Sequence, residues 1–307
     1  MEEFVKLLQY PIPNRLKKCF EICVKQPYDN HPKTDAWLKE IVNTEPKYHR
    51  NVILEQGICN FNLPFNELDS SDKVLLYCYQ YMQMHVMSNY HVFHKYRHLF
   101  SKYVACDVPP SGYKDFPSSL FVDFGCGPLS AGLGFAHSCI DANKCNDSMN
   151  FYYIGIDSAK PMLDKAKEFS KSRCFGTSSF KFLESDDKLL TTIEGYISQH
   201  PQLLIILNFS YLFASVSLDV HKLVRLVKEI INKYESNQIY VAFQNPQGYS
   251  LNQKWDKFRE ALPMLQSVLE NGSLEEIIEY EYTMRGYNDM KDIKLYYDIL
   301  QNIPISR

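Results

Sequence analysis

Two stretches of the chain carry residues whose types and spacing could hold a ligand. In the first, an apolar run contains Asp123 and opens into Gly125 and Gly127. In the second, an apolar run ends at Asp157. Glycines after a strand let backbone N–H groups approach a ligand closely, and an acid that ends the next strand could accept hydrogen bonds from ribose hydroxyls. The two stretches therefore predict a shared ligand site that includes a ribose.

The elements that must position these residues are strands and helices in alternation. Each stretch has the pattern of a strand, a turn and a helix, and two such units in succession predict a parallel α/β sheet. The alternation continues along the chain. Strands are expected near 120–124, 151–157, 180–183, 203–208, 238–244, 277–285 and 293–300, and helices near 129–137, 160–171, 189–198, 219–233 and 251–269.

The first stretch resembles the first motif of class I S-adenosylmethionine-dependent methyltransferases, which is an apolar strand, an acid and Gly-x-Gly-x-Gly. Asp123, Gly125 and Gly127 match it, whereas Leu129 stands where the third glycine is usual. The resemblance covers about residues 118–300. It implies an α/β, Rossmann-like fold: a doubly wound, mainly parallel seven-stranded sheet with an antiparallel C-terminal strand. An N-terminal helical cap is expected to precede this sheet.

The resemblance also implies S-adenosylmethionine as the cofactor and assigns it a set of residues. Gly125 and Gly127 would lie against its methionine part, Asp157 would take the ribose hydroxyls, and Asp186 would face the adenine. No metal site is expected. The full set of cofactor-binding residues that the resemblance implies is Asp123, Gly125, Cys126, Gly127, Asp157, Ser158, Asp186 and Asn208.

Asn208 and Tyr211 follow the fourth predicted strand and are the candidate catalytic residues. Their position is similar to the Asn/Asp-Pro-Pro-aromatic motif of family members that methylate exocyclic or amide nitrogens, with Phe209 and Ser210 replacing both prolines. An amide oxygen accepts a hydrogen bond from a target N–H, and a tyrosine ring can stack on a flat base. In the other interpretation, Asn208 ends a strand and Tyr211 belongs to the core. The 244–246 segment (Gln-Asn-Pro), on the same edge, is a weaker candidate for substrate contact.

The chain is expected to divide into a helical cap over 1–117 and a methyltransferase domain over 118–307. The cap reads as helices near 2–9, 14–24, 34–42 and 72–103, followed by a linker over 106–117. The last of these helices could be a lid that offers rings and an imidazole to a substrate, or its rings could pack the cap onto the sheet. Its aromatic and histidine residues are Tyr77, Tyr79, Tyr81, His85, Tyr90, His91, Phe93, His94, Tyr96, His98 and Phe100.

Composition places few limits on function. The chain has 33 basic and 36 acidic residues, which is not the strongly basic balance of an indiscriminate nucleic-acid binder. Its nine cysteines form no CxxC pair, and no signal peptide or apolar segment long enough to cross a membrane is visible. Free thiols in the cytoplasm are therefore expected, with no membrane association.

Three functions remain open at this point. The favoured hypothesis is methyl transfer to a nitrogen of an RNA or other nucleic-acid base. The alternative is a small-molecule N- or O-methyltransferase, whose cap would close over an aromatic-lined pocket. A further alternative is a non-catalytic assembly or sensor module that keeps the fold. An NAD-linked oxidoreductase shares the glycine and acid pattern but fits the Asn208 and Tyr211 spacing less well. The oligomeric state is not predicted.

Overall fold

The computed structural model describes residues 8–106, 117–145, 148–270, 272–284 and 289–302. The strands are β1 Leu8–Tyr10, β2 Ala105–Cys106, β3 Ser119–Phe124, β4 Met149–Asn150, β5 Tyr152–Ile156, β6 Ser179–Leu183, β7 Leu204–Ser210, β8 Ile239–Pro246, β9 Leu265–Ser267, β10 Leu274–Tyr282 and β11 Asp289–Asn302.

The α-helices are α1 Asn14–Phe20, α2 Gln26–Asp29, α3 Asp35–Trp37, α4 Pro46–Tyr48, α5 Ser70–Tyr77, α6 Gln83–Lys95, α7 Arg97–Phe100, α8 Ser130–Asn143, α9 Lys160–Phe169, α10 Leu189–Gln199, α11 Val220–Lys233 and α12 Tyr249–Glu260. The π-helical segments Glu21–Lys25, Leu38–Val42, His49–Ile53 and Cys78–Met82 continue several of the helices in the N-terminal part. No helix among the described residues has the length and apolar character needed to span a bilayer.

The large sheet runs in the order β1-β10-β11-β8-β7-β3-β5-β6, with β9 also paired to β11. The strands β8, β7, β3, β5 and β6 are parallel, and β11 is antiparallel to both β8 and β10. The prediction of a mainly parallel sheet with an antiparallel C-terminal strand is confirmed. The predicted number of strands is wrong, because β1 and β9 extend the expected seven to nine.

The sheet is covered on both faces, which explains why most positions of its central strands are apolar and do not alternate with polar residues. On β3, Phe121 packs into one core with the N-terminal helices, α8 and α9, whereas Leu120 and Val122 pack into a second core with α10, α11 and α12. Helix α11 begins where the Asp219 carboxylate accepts a hydrogen bond of 3.0 Å from the backbone N–H of Lys222.

Two predicted helices are wrong in part. Residues 1–7 lie outside the described residues, and Leu8–Tyr10 form β1, parallel to β10, instead of the end of a helix. The helix expected over 251–269 ends at Glu260, and Leu265–Ser267 form β9 against β11. Pro263 explains the second error, because a proline inside a helix removes a hydrogen-bond donor and clashes with the preceding turn.

The helix after β3 is longer than the predicted segment 129–137. Helix α8 extends to Asn143, and β2 pairs with β4 in a small second sheet. Cys106, expected in a linker, ends β2 and forms a disulfide with Cys145 across Cα atoms 6.1 Å apart. The prediction of free thiols is therefore wrong for this pair and holds for the other seven cysteines. The rest of the expected linker, residues 107–116, lies outside the described residues.

The N-terminal helices share a core with the sheet. The ring of Phe93, on α6, lies 5.6 Å from that of Phe121 on β3 and 5.1 Å from that of Phe135 on α8. Helices α6 and α8 lie close together at Gly134, where a Cβ atom would lie 2.8 Å from the Val86 carbonyl oxygen. The boundary at residues 117 and 118 stays a prediction, and packing is continuous across it.

A hydrogen-bonded cluster joins β1, α6 and the β10–β11 hairpin. His91 approaches the Tyr10 hydroxyl through Nδ1 at 2.8 Å and Glu276 Oε2 through Nε2 at 2.7 Å. Lys95 Nζ and the Tyr297 hydroxyl also donate to Glu276. Burial raises the pKa of Glu276, but hydrogen bonds from His91, Lys95 and Tyr297 outweigh it and hold that pKa at about 2. This end of α6 therefore has a structural role.

Candidate functional site

The glycine loop after β3 has the backbone conformation that its sequence predicts. The φ angles of Gly125 and Gly127 are +69° and +50°, which side chains with a Cβ atom rarely adopt. The N–H groups of Gly125 and Cys126 donate to the carbonyl of Ile156 at 2.8 and 3.0 Å. These bonds hold the loop against the carboxyl end of β5, where the predicted acid lies.

Leu129 occupies the place of the usual third glycine and still takes a glycine-like conformation. Its φ and ψ are 75° and 26°, in the left-handed region, and its side chain is fully buried. The left-handed conformation costs roughly 1–2 kcal/mol for a residue with a Cβ atom. Burying a leucine side chain stabilises by roughly 1.5–3 kcal/mol, which offsets that cost. The loop geometry is therefore kept despite the substitution.

Asp157 follows β5 directly, and its carboxylate is already held by the backbone. Oδ2 accepts from the N–H of Gly127 at 2.9 Å, and Oδ1 accepts from the N–H of Ala159 at 2.8 Å. Burial raises its pKa, and the two backbone hydrogen bonds partly oppose that rise. Each carboxylate oxygen has two lone pairs, so each can accept one further hydrogen bond. The group is thus fixed in orientation and still has capacity for a ligand.

Asp123 and Asn208 lie beneath the loop rather than at its surface, and each is 1% exposed. Asp123 Oδ1 accepts from Asn208 Nδ2 at 2.7 Å, and Oδ2 accepts from the Tyr153 hydroxyl at 2.6 Å. Burial raises the pKa of Asp123 to about 7, against the opposing effect of these two hydrogen bonds. Asn208 therefore contacts a buried carboxyl group.

Tyr211 stands at the end of β7 in a left-handed conformation, with φ of 61°. Its ring stacks on His85 with centroids 4.2 Å apart, and its hydroxyl donates to Ser88 Oγ at 3.2 Å. The imidazole Nδ1 of His85 lies 2.9 Å from the hydroxyl of Tyr77. Burial lowers the pKa of His85 to about 4, so its ring is neutral at neutral pH.

A cavity of about 610 Å³ brings these groups together, a size typical of sites for small ligands. Its rear wall comes from the loops after β3, β5 and β7, and its front wall comes from α5, α6 and the segment 56–62. Asn62 joins the two walls, because its amide donates to the Ser158 carbonyl at 2.9 Å and accepts from the N–H of Lys160 at 3.0 Å. The lining includes Gln56, Gly57, Ile58, Cys59, Asn60, Phe61, Asn62, Tyr77, Tyr81, Met84, His85, Gly125, Gly127, Asp157, Ser158, Ala159, Met162, Ser210, Tyr211, Leu212, Ala214, Ser215, Ser217 and Pro246.

The structure brings together part of the predicted site. Gly125, Gly127, Asp157, Ser158 and Tyr211 line this cavity. Asp123 and Cys126 line a smaller cavity of about 40 Å³ beside it. Asn208 and Asp186 line neither cavity, and the Asp186 carboxylate accepts from Lys222 Nζ at 2.7 Å. Pro246 reaches the cavity wall at the end of β8.

Sequence reasoning missed Ser210 and the segment 56–62, and it did not single out Tyr77, Tyr81 and His85 from the other rings of their helix. These three are spaced four residues apart, a spacing that places side chains on one face of a helix. That spacing is a signal that could have found them. The other end of the helix serves the cluster around Glu276.

Solved structures with a similar fold include several methyltransferases. The YcgJ protein of Bacillus subtilis aligns over 70% of this chain and all of its own, at 14% identity and a TM-score of 0.37. A SAM-dependent methyltransferase of Agrobacterium tumefaciens aligns over 73% of this chain and 62% of its own, at 11% identity and a TM-score of 0.33. Precorrin-6y C5,15-methyltransferase of Geobacter metallireducens aligns over 61% and 82%, at 10% identity and a TM-score of 0.34. No protein-family model and no curated protein sequence matches the chain.

The fold itself is identified by the order and direction of its strands. Five parallel strands run in the order β8-β7-β3-β5-β6, and an antiparallel β11 separates β8 from β10. The glycine loop after β3 and the carboxylate after β5 meet at the same edge of the sheet. The described strands and the helices on both faces of the sheet therefore form a Rossmann-like α/β fold.

Proposed function

We propose that the protein transfers a methyl group from S-adenosylmethionine to an acceptor bound in the cavity between the sheet edge and α5 and α6. The observation that carries this proposal is the position of the Asp157 carboxylate. It lies at the carboxyl end of β5, in the cavity wall, and is tied to the backbone of Gly127. A carboxylate in this position can accept hydrogen bonds from the two hydroxyls of a ribose. The neighbouring glycine loop lets the same ligand lie close to the backbone.

The residues present fit such a cofactor. Asp157 would accept hydrogen bonds from ribose hydroxyls, and Gly125 and Gly127 leave room beside the backbone. The buried hydroxyl of Ser130, at the first turn of α8, lines the smaller cavity and has no hydrogen-bond partner among the described residues. This hydroxyl would donate a hydrogen bond to a carboxylate bound at the N-terminus of α8. When bound, S-adenosylmethionine supplies a methyl group on a positively charged sulfur.

The chain's own contribution would be mainly to position the acceptor. Methyl transfer requires the acceptor atom, the methyl carbon and the sulfur to lie in line, and holding them so accounts for much of such a rate enhancement. Tyr211, fixed by Ser88 and stacked on His85, would hold a flat acceptor. Asn208 would act as a positioning residue, because its amide holds the Asp123 carboxyl group beneath the loop.

Replacing Asp157 by asparagine is expected to weaken binding of S-adenosylhomocysteine by about tenfold, or roughly 1–2 kcal/mol, through loss of charge-assisted hydrogen bonds. Asparagine keeps the shape and one acceptor oxygen, which can still accept from the N–H of Gly127, whereas the hydrogen bond from the N–H of Ala159 is lost. The measurement is titration calorimetry on the purified protein, with a nicotinamide dinucleotide as the control ligand.

The matched comparison is Asp186→Asn. Its carboxylate bonds to Lys222 away from the cavity, so binding by this variant is expected to stay within about twofold of that of the unchanged protein, as for surface substitutions. Equal affinity of the Asp157→Asn variant and the unchanged protein would remove Asp157 from the ribose site. A loss of affinity only in the Asp186→Asn variant would place the adenine near α11 and support the role that the resemblance implies for Asp186.

The lining of the cavity favours a small molecule over RNA as the methyl acceptor. Across the described lining of the cavity, no lysine or arginine is present to contact phosphate groups, which dominate nucleic-acid affinity. A nucleic-acid base remains the second candidate, because the stacked rings of Tyr211 and His85 could hold an extruded base. With labelled methyl donor, we expect label in a metabolite mixture and none in bulk RNA. Label in RNA that decreases steeply with salt would favour the second candidate.

A further inference from the structure

A continuous row of rings lines the cavity, and we call it the aromatic row. It consists of Phe61, Tyr77, Tyr81 and His85 in the front wall and Tyr211 in the rear wall. Successive centroids are 5.3 Å apart for Phe61 and Tyr77, 5.6 Å for Tyr77 and Tyr81, 6.3 Å for Tyr81 and His85, and 4.2 Å for His85 and Tyr211. All five line the cavity. The Tyr211 end of the aromatic row lies beside the glycine loop. A Cβ atom added to Gly125 would contact the side chain of Leu212, the residue after Tyr211.

The charge around the aromatic row is negative. Asp157 is the one charged side chain among the described residues that line the cavity. His85 is neutral at neutral pH, since burial lowers its pKa to about 4. Lys73 lies 5.7 Å from the centroid of the Phe61 ring, but its Nζ donates to the carbonyls of Asn60 and Leu63 and it does not line the cavity. An anionic ligand would meet the Asp157 carboxylate, which repels negative charge, and no lysine or arginine among the described lining residues.

We propose that the aromatic row binds a small amine and that this amine is the methyl acceptor, an inference that rests on the proposed function. The faces of aromatic rings carry partial negative charge and attract cations. An amine in its ammonium form therefore gains from the rings and from Asp157, and an uncharged molecule of the same shape gains only from burial.

The chemistry of the transfer fits the same surroundings. The ammonium form of the acceptor first loses one proton to water, which frees the nitrogen lone pair. That pair forms the new bond to the methyl carbon while sulfur keeps the pair of the broken bond. The positive charge passes from sulfur to nitrogen, so the site holds one cation before and after the step. With a hydroxyl acceptor, the positive charge would leave the site with the released proton. The rings would then stabilise only the state before transfer, in which the sulfur is positively charged.

The test uses three probes of similar shape and different charge: 2-phenylethylamine, 2-phenylethanol and 3-phenylpropionate. Each is titrated by calorimetry into the full-length protein, alone and saturated with S-adenosylhomocysteine, so that no turnover occurs. We expect the amine to bind at least about tenfold more tightly than the carboxylate, with the alcohol between them. Equal affinity of the amine and the carboxylate, or no measurable binding of the amine, would overturn the proposal.

Tyr81→Leu removes one ring of the aromatic row while keeping an apolar side chain of moderate size. We expect this substitution to weaken binding of the amine by about two- to thirtyfold and binding of the alcohol by less than about twofold. Tyr79→Leu is the matched control, since Tyr79 stacks on Tyr28 with centroids 3.8 Å apart and does not line the cavity. It should leave the ratio of amine to alcohol affinity unchanged. An equal loss for amine and alcohol in Tyr81→Leu would show that the ring contributes only apolar area.

The two proposals fail separately. Selective amine binding by a protein that does not bind S-adenosylhomocysteine would overturn the proposed function and leave an amine site. Binding of S-adenosylhomocysteine without preference for the amine would support the proposed function and overturn the amine as acceptor.

Discussion

Gly134→Ala is expected to lower the free energy of unfolding by about 3 kcal/mol. A Cβ at this position would lie 2.6 Å from Asn89 Cβ, 2.8 Å from the Tyr90 nitrogen and 2.8 Å from the Val86 carbonyl oxygen. Two of these atoms belong to the backbone of α6, so no side chain can rotate away. Helices α6 and α8 would have to separate, and the aromatic row would move with α6.

Urea unfolding followed by circular dichroism measures this effect, and Gly195→Ala is the matched control. Gly195 lies on the exposed side of α10, where an added Cβ would meet nothing within 4 Å. There the substitution is expected to stabilise by about 0.5–1 kcal/mol, because alanine loses less backbone entropy than glycine in a helix. A Gly134→Ala variant as stable as the unchanged protein would show that α6 is displaced easily and does not fix the cavity wall.

Acidification from pH 7 to pH 4.5 is expected to destabilise the protein through its buried neutral histidines. Burial lowers the pKa of His85 and of His137 to about 4, below the value of about 6.5 in an unfolded chain. Between these values the unfolded state binds protons that the native state does not. Stability therefore falls as the pH falls through this window, by up to about 3 kcal/mol for each histidine.

Asp123 acts in the opposite sense, so the histidine effect has to be isolated by substitution. Its pKa of about 7 means that the native carboxyl group keeps a proton that the unfolded one releases, and acidification from pH 7 favours the native state. His137→Gln is therefore compared with the unchanged protein at both pH values by urea unfolding. We expect the variant to lose about 2–3 kcal/mol less on acidification.

The control for this comparison is His221→Gln. His221 is exposed on α11, so its substitution should change the loss of stability on acidification by less than about 0.5 kcal/mol. If His137→Gln lost as much stability as the unchanged protein, His137 would have to be protonated in the native state, and burial would not set its charge.

Most of the parallel strands were predictable because they are largely apolar runs between turn residues, as the burial of β3 and of β7 up to Phe209 requires. Asp157 was predictable for the same reason, since its place depends on one strand end and the next loop. The strand β1 was not, because three residues have no periodicity and its pairing depends on β10. The Cys106–Cys145 disulfide likewise depends on β2 and β4, which are too short to recognise in a sequence.

The candidate site divides in the same way. The loops at the sheet edge were predicted, because each directly follows a strand that is recognisable in the sequence. The front wall depends on Asn62 reaching the loop after β5 and on His85 stacking on Tyr211, and these contacts join distant parts of the chain. The role of Asn208 depends on the direction of its side chain, which neighbouring atoms decide. Its bond to Asp123 could not be read from a motif.

The pairing of β1 with β10 has a consequence for how the molecule is assembled. The two strands are 270 residues apart in the chain, and His91 meets Glu276 across 185 residues. During synthesis, β1 leaves the ribosome long before any residue of its partner exists. The apolar sides of α5 and α6 must then remain without their final covering until most of the polypeptide has emerged. Contacts between remote segments form slowly, and exposed apolar surface invites association in the meantime. Translation speed and chaperone supply should therefore affect the yield of folded protein.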